Sequence, residues 1–174
     1  MTRSIAATIA PQFIQPTQVY RLDGVASPAA QEGGVHVDST LKLVFDSPPA
    51  IGTGGTIRVF RKADDALVDV IRLNDETDML GYVGQDAIRK VNTTPIRISG
   101  NSATIKLHSN KLDYDTEYYV AIADGVFTGA TLGGVPFAGI GKLSGWSFTT
   151  KAAGPSAAAV TVDDDGIADF RTVQ

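Results

Sequence analysis

Acid–base or nucleophilic chemistry in this chain would have to rest on two imidazoles, His36 and His108. Ser-His-Asp hydrolysis needs such a base beside an activated hydroxyl. His36 lies between Val35 and Val37, and His108 follows the Ile105/Leu107 alternation, with no nucleophile-elbow pattern near either. Both read as surface or capping histidines. Glycoside hydrolysis needs two carboxylates at a defined separation, whereas Asp163, Asp164 and Asp165 form a run that reads as turn and linker. Asn74, Asp75, Glu76 and Asp78 offer oxygen ligands within one loop, but without the spacing of a calcium-binding hand, and read as a solvated polar loop. The absence of cysteine excludes disulfides, thiolate zinc sites and thiol catalysis. The expectation is a chain with no catalytic residues, no metal site and no cofactor.

Sugar recognition asks for different residues: planar aromatic platforms, forked hydrogen-bond donors, and Arg or Lys where the sugar carries a carboxylate. Trp146, Phe45, Phe148 and Tyr118 read as core. Tyr82, Tyr119, Phe127 and Phe137 are the aromatic residues expected to be exposed, and Arg58, Arg72, Arg89, Lys90 and Arg97 could supply cations. Of these, Tyr82, Tyr119, Phe127, Phe137 and Arg89 are the candidate ligand-binding residues.

The elements that must position such residues are strands. Leu41, Leu43 and Phe45 alternate with Lys42 and Val44, the period-two pattern of a half-buried strand. Residues 57–61 and 67–72, separated by the turn formers Asp64 and Asp65, read as a hairpin. Further strands are expected at 19–22, 96–98, 103–107, 118–123 and 146–149, the polar stretch 73–93 reading as a long loop or broken strand. The glycine-rich segment 125–141 reads as a loop. No segment carries a helical apolar stripe. Short strands at this spacing favour a two-sheet sandwich.

With 174 residues, the chain is long enough for one ordinary domain with a core, plus tails. Its 43% hydrophobic and 20% charged residues describe a globular protein. A net charge of −4 gives no reason to expect nucleic acid, which needs clustered cations. No apolar run approaches the ~20 residues of a membrane span. The short apolar stretch 5–10 falls below the roughly 7–15 residues of a secretory signal core. After Thr150, Ala, Gly, Pro and Ser dominate residues 151–160, which read as a linker.

Two resemblances sharpen this. Leu112, Tyr114, Thr116 and Tyr118 resemble the tyrosine corner of Ig-like sandwiches, in which a buried Tyr at a strand start bonds the backbone just upstream; that role falls to Tyr118. With the stretches at 37–45, 52–60 and 103–107 and the closing Trp146, Phe148 and Thr149, residues 17–150 resemble the bacterial Ig-like domains of S-layer and extracellular enzyme architectures. The segment 73–94 is longer than a minimal member needs. Separately, Asp165-Gly166-Ile167-Ala168-Asp169-Phe170-Arg171-Thr172-Val173-Gln174 is similar to the opening of pectin methylesterases, with Ile-Ala where those enzymes carry Ser-Gly; related openings occur in other β-helix enzymes acting on polysaccharides. That resemblance implies capping roles for Asp169 and Gln174 and places the enzyme's catalytic groups beyond this chain.

The resulting expectation is an all-β, Ig-like two-sheet antiparallel sandwich at 17–150, an N-terminal arm at 1–16, the linker at 151–160 and the start of a β-helix enzyme domain at 161–174. The resemblances imply a secreted, cell-surface or periplasmic, non-catalytic accessory module of a pectin-active enzyme. It would act as a spacer or as a docking domain for the adjacent β-helix. The alternative is a carbohydrate-binding module for pectin or another plant polysaccharide.

Overall fold

A computed structural model of the chain describes residues 13–80 and 89–154. Residues 155–160 of the expected linker, the aspartates 163–165, the β-helix-like residues 161–174 and Tyr82 lie outside the described residues. The strands are β1 (Ala26–Ser27), β2 (Glu32–Val35), β3 (Leu41–Val44), β4 (Ala50–Ile51), β5 (Thr56–Arg61), β6 (Leu67–Arg72), β7 (Thr77–Leu80) and β8 (Arg89–Asn92). They continue with β9 (Ile96–Ser99), β10 (Ser102–Ile105), β11 (Glu117–Ile122), β12 (Phe127–Thr128), β13 (Thr131–Leu132), β14 (Val135–Pro136) and β15 (Ser147–Thr150). A 3₁₀ turn, Lys142–Ser144, precedes β15.

Two sheets enclose the core. One has the order β1-β3-β10-β9 and the other β2-β15-β11-β5-β6, antiparallel throughout except for the parallel β2/β15 pair. The alternation read in the sequence sets which side chains meet. Leu41, Leu43, Ala103 and Ile105 from the first sheet pack with Ile57, Val59, Ile71, Tyr118, Val120, Ile122 and Phe148 from the second. Every residue expected in the core, Phe45, Leu107 and Trp146 included, is buried. The Trp146 indole N–H donates to the Pro28 carbonyl at 2.8 Å, so its polar edge is satisfied in the interior.

Three expectations about elements are corrected. Residues 19–22 join no ladder; the first strand is Ala26–Ser27. Tyr20 and Leu22 are nonetheless buried with Arg21 exposed, so the alternation was real and the pairing was not. The Tyr20 hydroxyl takes the place of a ladder, accepting from the Ala138 N–H at 2.8 Å and donating to the Pro136 carbonyl at 3.1 Å. Within the segment 73–93, β7 and β8 pair in register from Thr77↔Asn92 to Leu80↔Arg89. Finally, the segment 125–141 contains β12, β13 and β14 and is tied down by Asp46. That carboxylate accepts from the Gly134 N–H at 2.8 Å and the Thr131 hydroxyl at 2.9 Å, which hold its pKa below the usual carboxylate value.

The described part of the arm lies against the protein. Phe13 meets Phe60 with ring centroids 6.2 Å apart, and the Gln15 side-chain oxygen accepts from the Lys142 N–H at 3.1 Å. A Cβ at Gly141 would run into the Pro16 carbonyl, so that approach needs a glycine. Residues 13–18 and the 3₁₀ turn thereby add a partial third layer outside the five-stranded sheet.

Candidate functional site

Tyr118 opens β11 with its ring fully buried, and its hydroxyl accepts the Asp113 N–H at 2.8 Å. This is the geometry of a tyrosine corner, as read from the sequence. A second clamp closes the same corner. The Thr150 hydroxyl, from the last strand, donates to the Asp113 carbonyl at 2.6 Å and accepts the Thr116 N–H at 3.0 Å. The backbone adds Asp115 N–H to the Lys151 carbonyl at 3.0 Å. The corner therefore anchors the chain where it leaves the sandwich.

Asp69, His108 and Ser109 come together at the β6 edge, the residue types of a catalytic triad. The His108 Nδ1 lies 2.7 Å from the buried Asp69 carboxylate, as in a triad. Its Nε2, however, faces Asp75 at 3.7 Å, and the Ser109 hydroxyl donates to Asp78 at 2.8 Å. The serine proton is thus held by a carboxylate, away from the imidazole that would have to remove it. The cluster pins three segments together: the His108 N–H also donates to Asp69, and the Ser109 N–H to Asp78. Burial pushes the Asp78 carboxyl up, but the Ser109 hydroxyl, the Ser109 N–H and the Met79 N–H outweigh it and hold its pKa below the usual value. Asp75 accepts the Arg72 N–H at 2.8 Å, while Asn74 and Glu76 are exposed. Two of the four oxygen-bearing residues of this loop are therefore occupied by protein donors. Among the described residues no three acidic or histidine side chains converge as a metal site would require.

The aromatic residues expected to be exposed are placed otherwise. Phe127 is 1% exposed and Phe137 8%, so neither offers a face to a sugar. They form an aromatic group within the one core, with Phe45 5.5 Å from Phe127 and 5.1 Å from Phe137, and Tyr20 5.5 Å from Phe137. Tyr119 does face away from Tyr118 but is also buried, its ring stacked 5.0 Å from Phe60 with Lys142 Nζ 5.4 Å from its centroid. Burial, followed by the neighbouring Asp65, pushes its hydroxyl pKa up to about 12. Arg89 contributes its backbone to the β7/β8 ladder. Among the described aromatic residues Tyr114 alone is largely exposed.

The outer face of the five-stranded sheet brings together residues that the sequence left scattered. Register places Thr56, Arg58 and Phe60 of β5 on that face beside Val70 and Arg72 of β6 and Tyr119 of β11. The Phe13 ring lies 4.4 Å from the Arg58 guanidinium, a cation–π contact. Arg58 Nε donates to the Thr56 hydroxyl at 3.1 Å. Burial and the adjacent Arg72 charge lower the Arg58 pKa. Sequence reasoning named both arginines but could not place them together, and it missed Phe13 and Phe60 because contacts between the arm and β5 leave no local pattern.

Fold and site define a two-sheet β-sandwich module with a polar clasp of Asp69, His108, Ser109 and Asp78 at the β6 edge. The family described as Bacterial Ig-like domain matches residues 24–150. The chain belongs to that family, whose domains are typically non-catalytic and occur in extracellular or surface bacterial proteins; an accessory-module role follows in general terms. No curated protein and no solved structure matches the chain. Among the described residues no helix is long and apolar enough to cross a membrane.

Proposed function

We propose that this chain is a non-catalytic accessory module of a secreted pectin-active enzyme, a pectin methylesterase first among these, and that it works as a spacer or docking domain for an adjacent β-helix. The observation that carries the spacer reading is the use of the aromatic residues. Phe127, Phe137 and Tyr119 are consumed in packing, and a pyranose ring needs an aromatic face open to solvent. The corner that Tyr118 and Thr150 clamp supports the same reading, because it holds the departing chain to the sandwich and would fix the direction in which a following domain sits. The wiring of Ser109 to Asp78 supports the absence of hydrolytic chemistry.

The choice of pectin is supported by the resemblance of residues 165–174 to the opening of pectin methylesterases. Reading the coding sequence past Gln174 tests it. A β-helix repeat pattern is expected; a stop, or a continuation without that pattern, overturns the pectin assignment. The alternative, carbohydrate binding, draws support from one arrangement, the pair Arg58 and Arg72.

A further inference from the structure

Arg58 and Arg72 are diagonal neighbours on one sheet face, Arg58 opposite Val70 and Arg72 opposite Thr56. Among the described residues neither guanidinium has a carboxylate within ion-pair distance, although Arg61, Lys62 and Lys142 each have one. Arg58 is half-buried, and of its donors only Nε is used, on Thr56. Two unpaired like charges side by side repel, and the chain carries an excess of acid from which partners could have been drawn. A bound oxyanion would relieve that repulsion and use the free forks, which match a carboxylate bidentately. The groove beside Arg58 is lined by Gln15, Gln18 and Thr56, neutral groups suited to hydroxyls, by the half-buried Phe13 ring and, farther along, by the exposed Asp124, while Arg72 stands outside it on the sheet face. A carboxylate ringed by hydroxyls and backed by apolar C–H groups is the chemistry of a uronic acid.

We propose that Arg58 and Arg72 form a carboxylate-binding subsite that takes a uronate residue of de-esterified galacturonan. The anion site rests on the arginine pair alone; the choice of sugar rests also on the pectin reading. The site would tether the module to pectin that has lost its methyl esters, through charge and forked hydrogen bonds, with Phe13 as a lateral wall.

Calorimetric titration of the full chain with tetragalacturonate at low salt tests this, using fully methyl-esterified tetragalacturonate and tetraglutamate as comparison ligands. Weak binding that fades with added salt is expected, and the variant carrying Arg58→Gln and Arg72→Gln should lose at least about tenfold in affinity. Arg58→Lys, which keeps the charge without the fork, should fall between, and Arg97→Gln, on the other sheet, should bind unchanged. Trp146 fluorescence in urea establishes that each variant is folded. No binding at about 1 mM ligand, equal binding by the double variant, or equal binding of the esterified oligomer overturns the subsite. Equal affinity for tetraglutamate overturns the sugar assignment. Failure of the neighbour assignment is separable: a coding sequence without a β-helix leaves an arginine-dependent tetragalacturonate signal standing, and the converse result removes the subsite alone.

Discussion

Replacing Tyr118 by Phe removes one oxygen from a fully buried position while leaving the ring that packs 5.9 Å from Phe148. The lost contact is the 2.8 Å hydrogen bond from the Asp113 N–H. A typical intramolecular hydrogen bond contributes about 1 kcal/mol net, and a buried donor left without a partner adds a desolvation cost of roughly 1–3 kcal/mol. Asp113 itself is exposed, so water can reach its N–H and the lower end applies. The Thr150 clamp on the Asp113 carbonyl also persists in the variant. The expected loss is therefore about 1–2 kcal/mol, or on the order of 4–8 °C in Tm for a domain of this size. Trp146 is the sole tryptophan and is buried, so its fluorescence in urea reports the sandwich directly. The midpoint should fall with the slope unchanged. A midpoint within about 0.3 kcal/mol of the unaltered protein, a difference small among surface substitutions, would refute the claim that the hydroxyl holds the corner.

Two further outcomes follow from the titrating groups. The Asp78 pKa lies below 3.8 in the folded state, so its contribution is complete above that value and is lost as pH falls through the lower folded value. Asp78→Asn should cost about 1–3 kcal/mol near neutral pH, with the gap to the unaltered protein closing in acid; urea midpoints at neutral and acid pH that keep a constant gap would contradict this. Tyr119, pushed up to about 12 from 10.0, favours the folded state fully below pH 10 and loses that effect as pH rises through 12. Tyrosinate absorbance should show a late-ionising group that is absent in Tyr119→Phe; a titration unchanged by that substitution would contradict the assignment.

What the sequence made legible follows the physics of local alternation. Leu41/Leu43, Ile57/Val59 and Tyr118/Val120/Ile122 announced their faces because a strand's side chains alternate with period two. The same rule misled at Tyr119. Residues 118–122 are apolar at both parities, the mark of a strand covered on both sides, yet the covering layer comes from residues 13–18 and the 3₁₀ turn Lys142–Ser144, far away in sequence. Phe127 and Phe137 misled for a related reason. Glycines around them suggested an open loop, but Asp46 folds the segment back and delivers both rings to Phe45. The clasp of Asp69 with His108 and the juxtaposition of Arg58 with Arg72 depend on register and on contacts distant in sequence, which composition and spacing do not encode.

Phe127, Phe137, Tyr118 and Tyr119 are spent on the core and corner of this module, so that among the described residues Tyr114 alone is a largely exposed aromatic side chain and no platform of several rings is open to a neutral sugar chain. Native affinity electrophoresis through a gel containing highly methyl-esterified pectin tests it most directly, because that polymer presents ring faces and hydroxyls with few free carboxylates. The expected mobility equals that in a gel without polysaccharide. Retardation that grows with pectin concentration would contradict it.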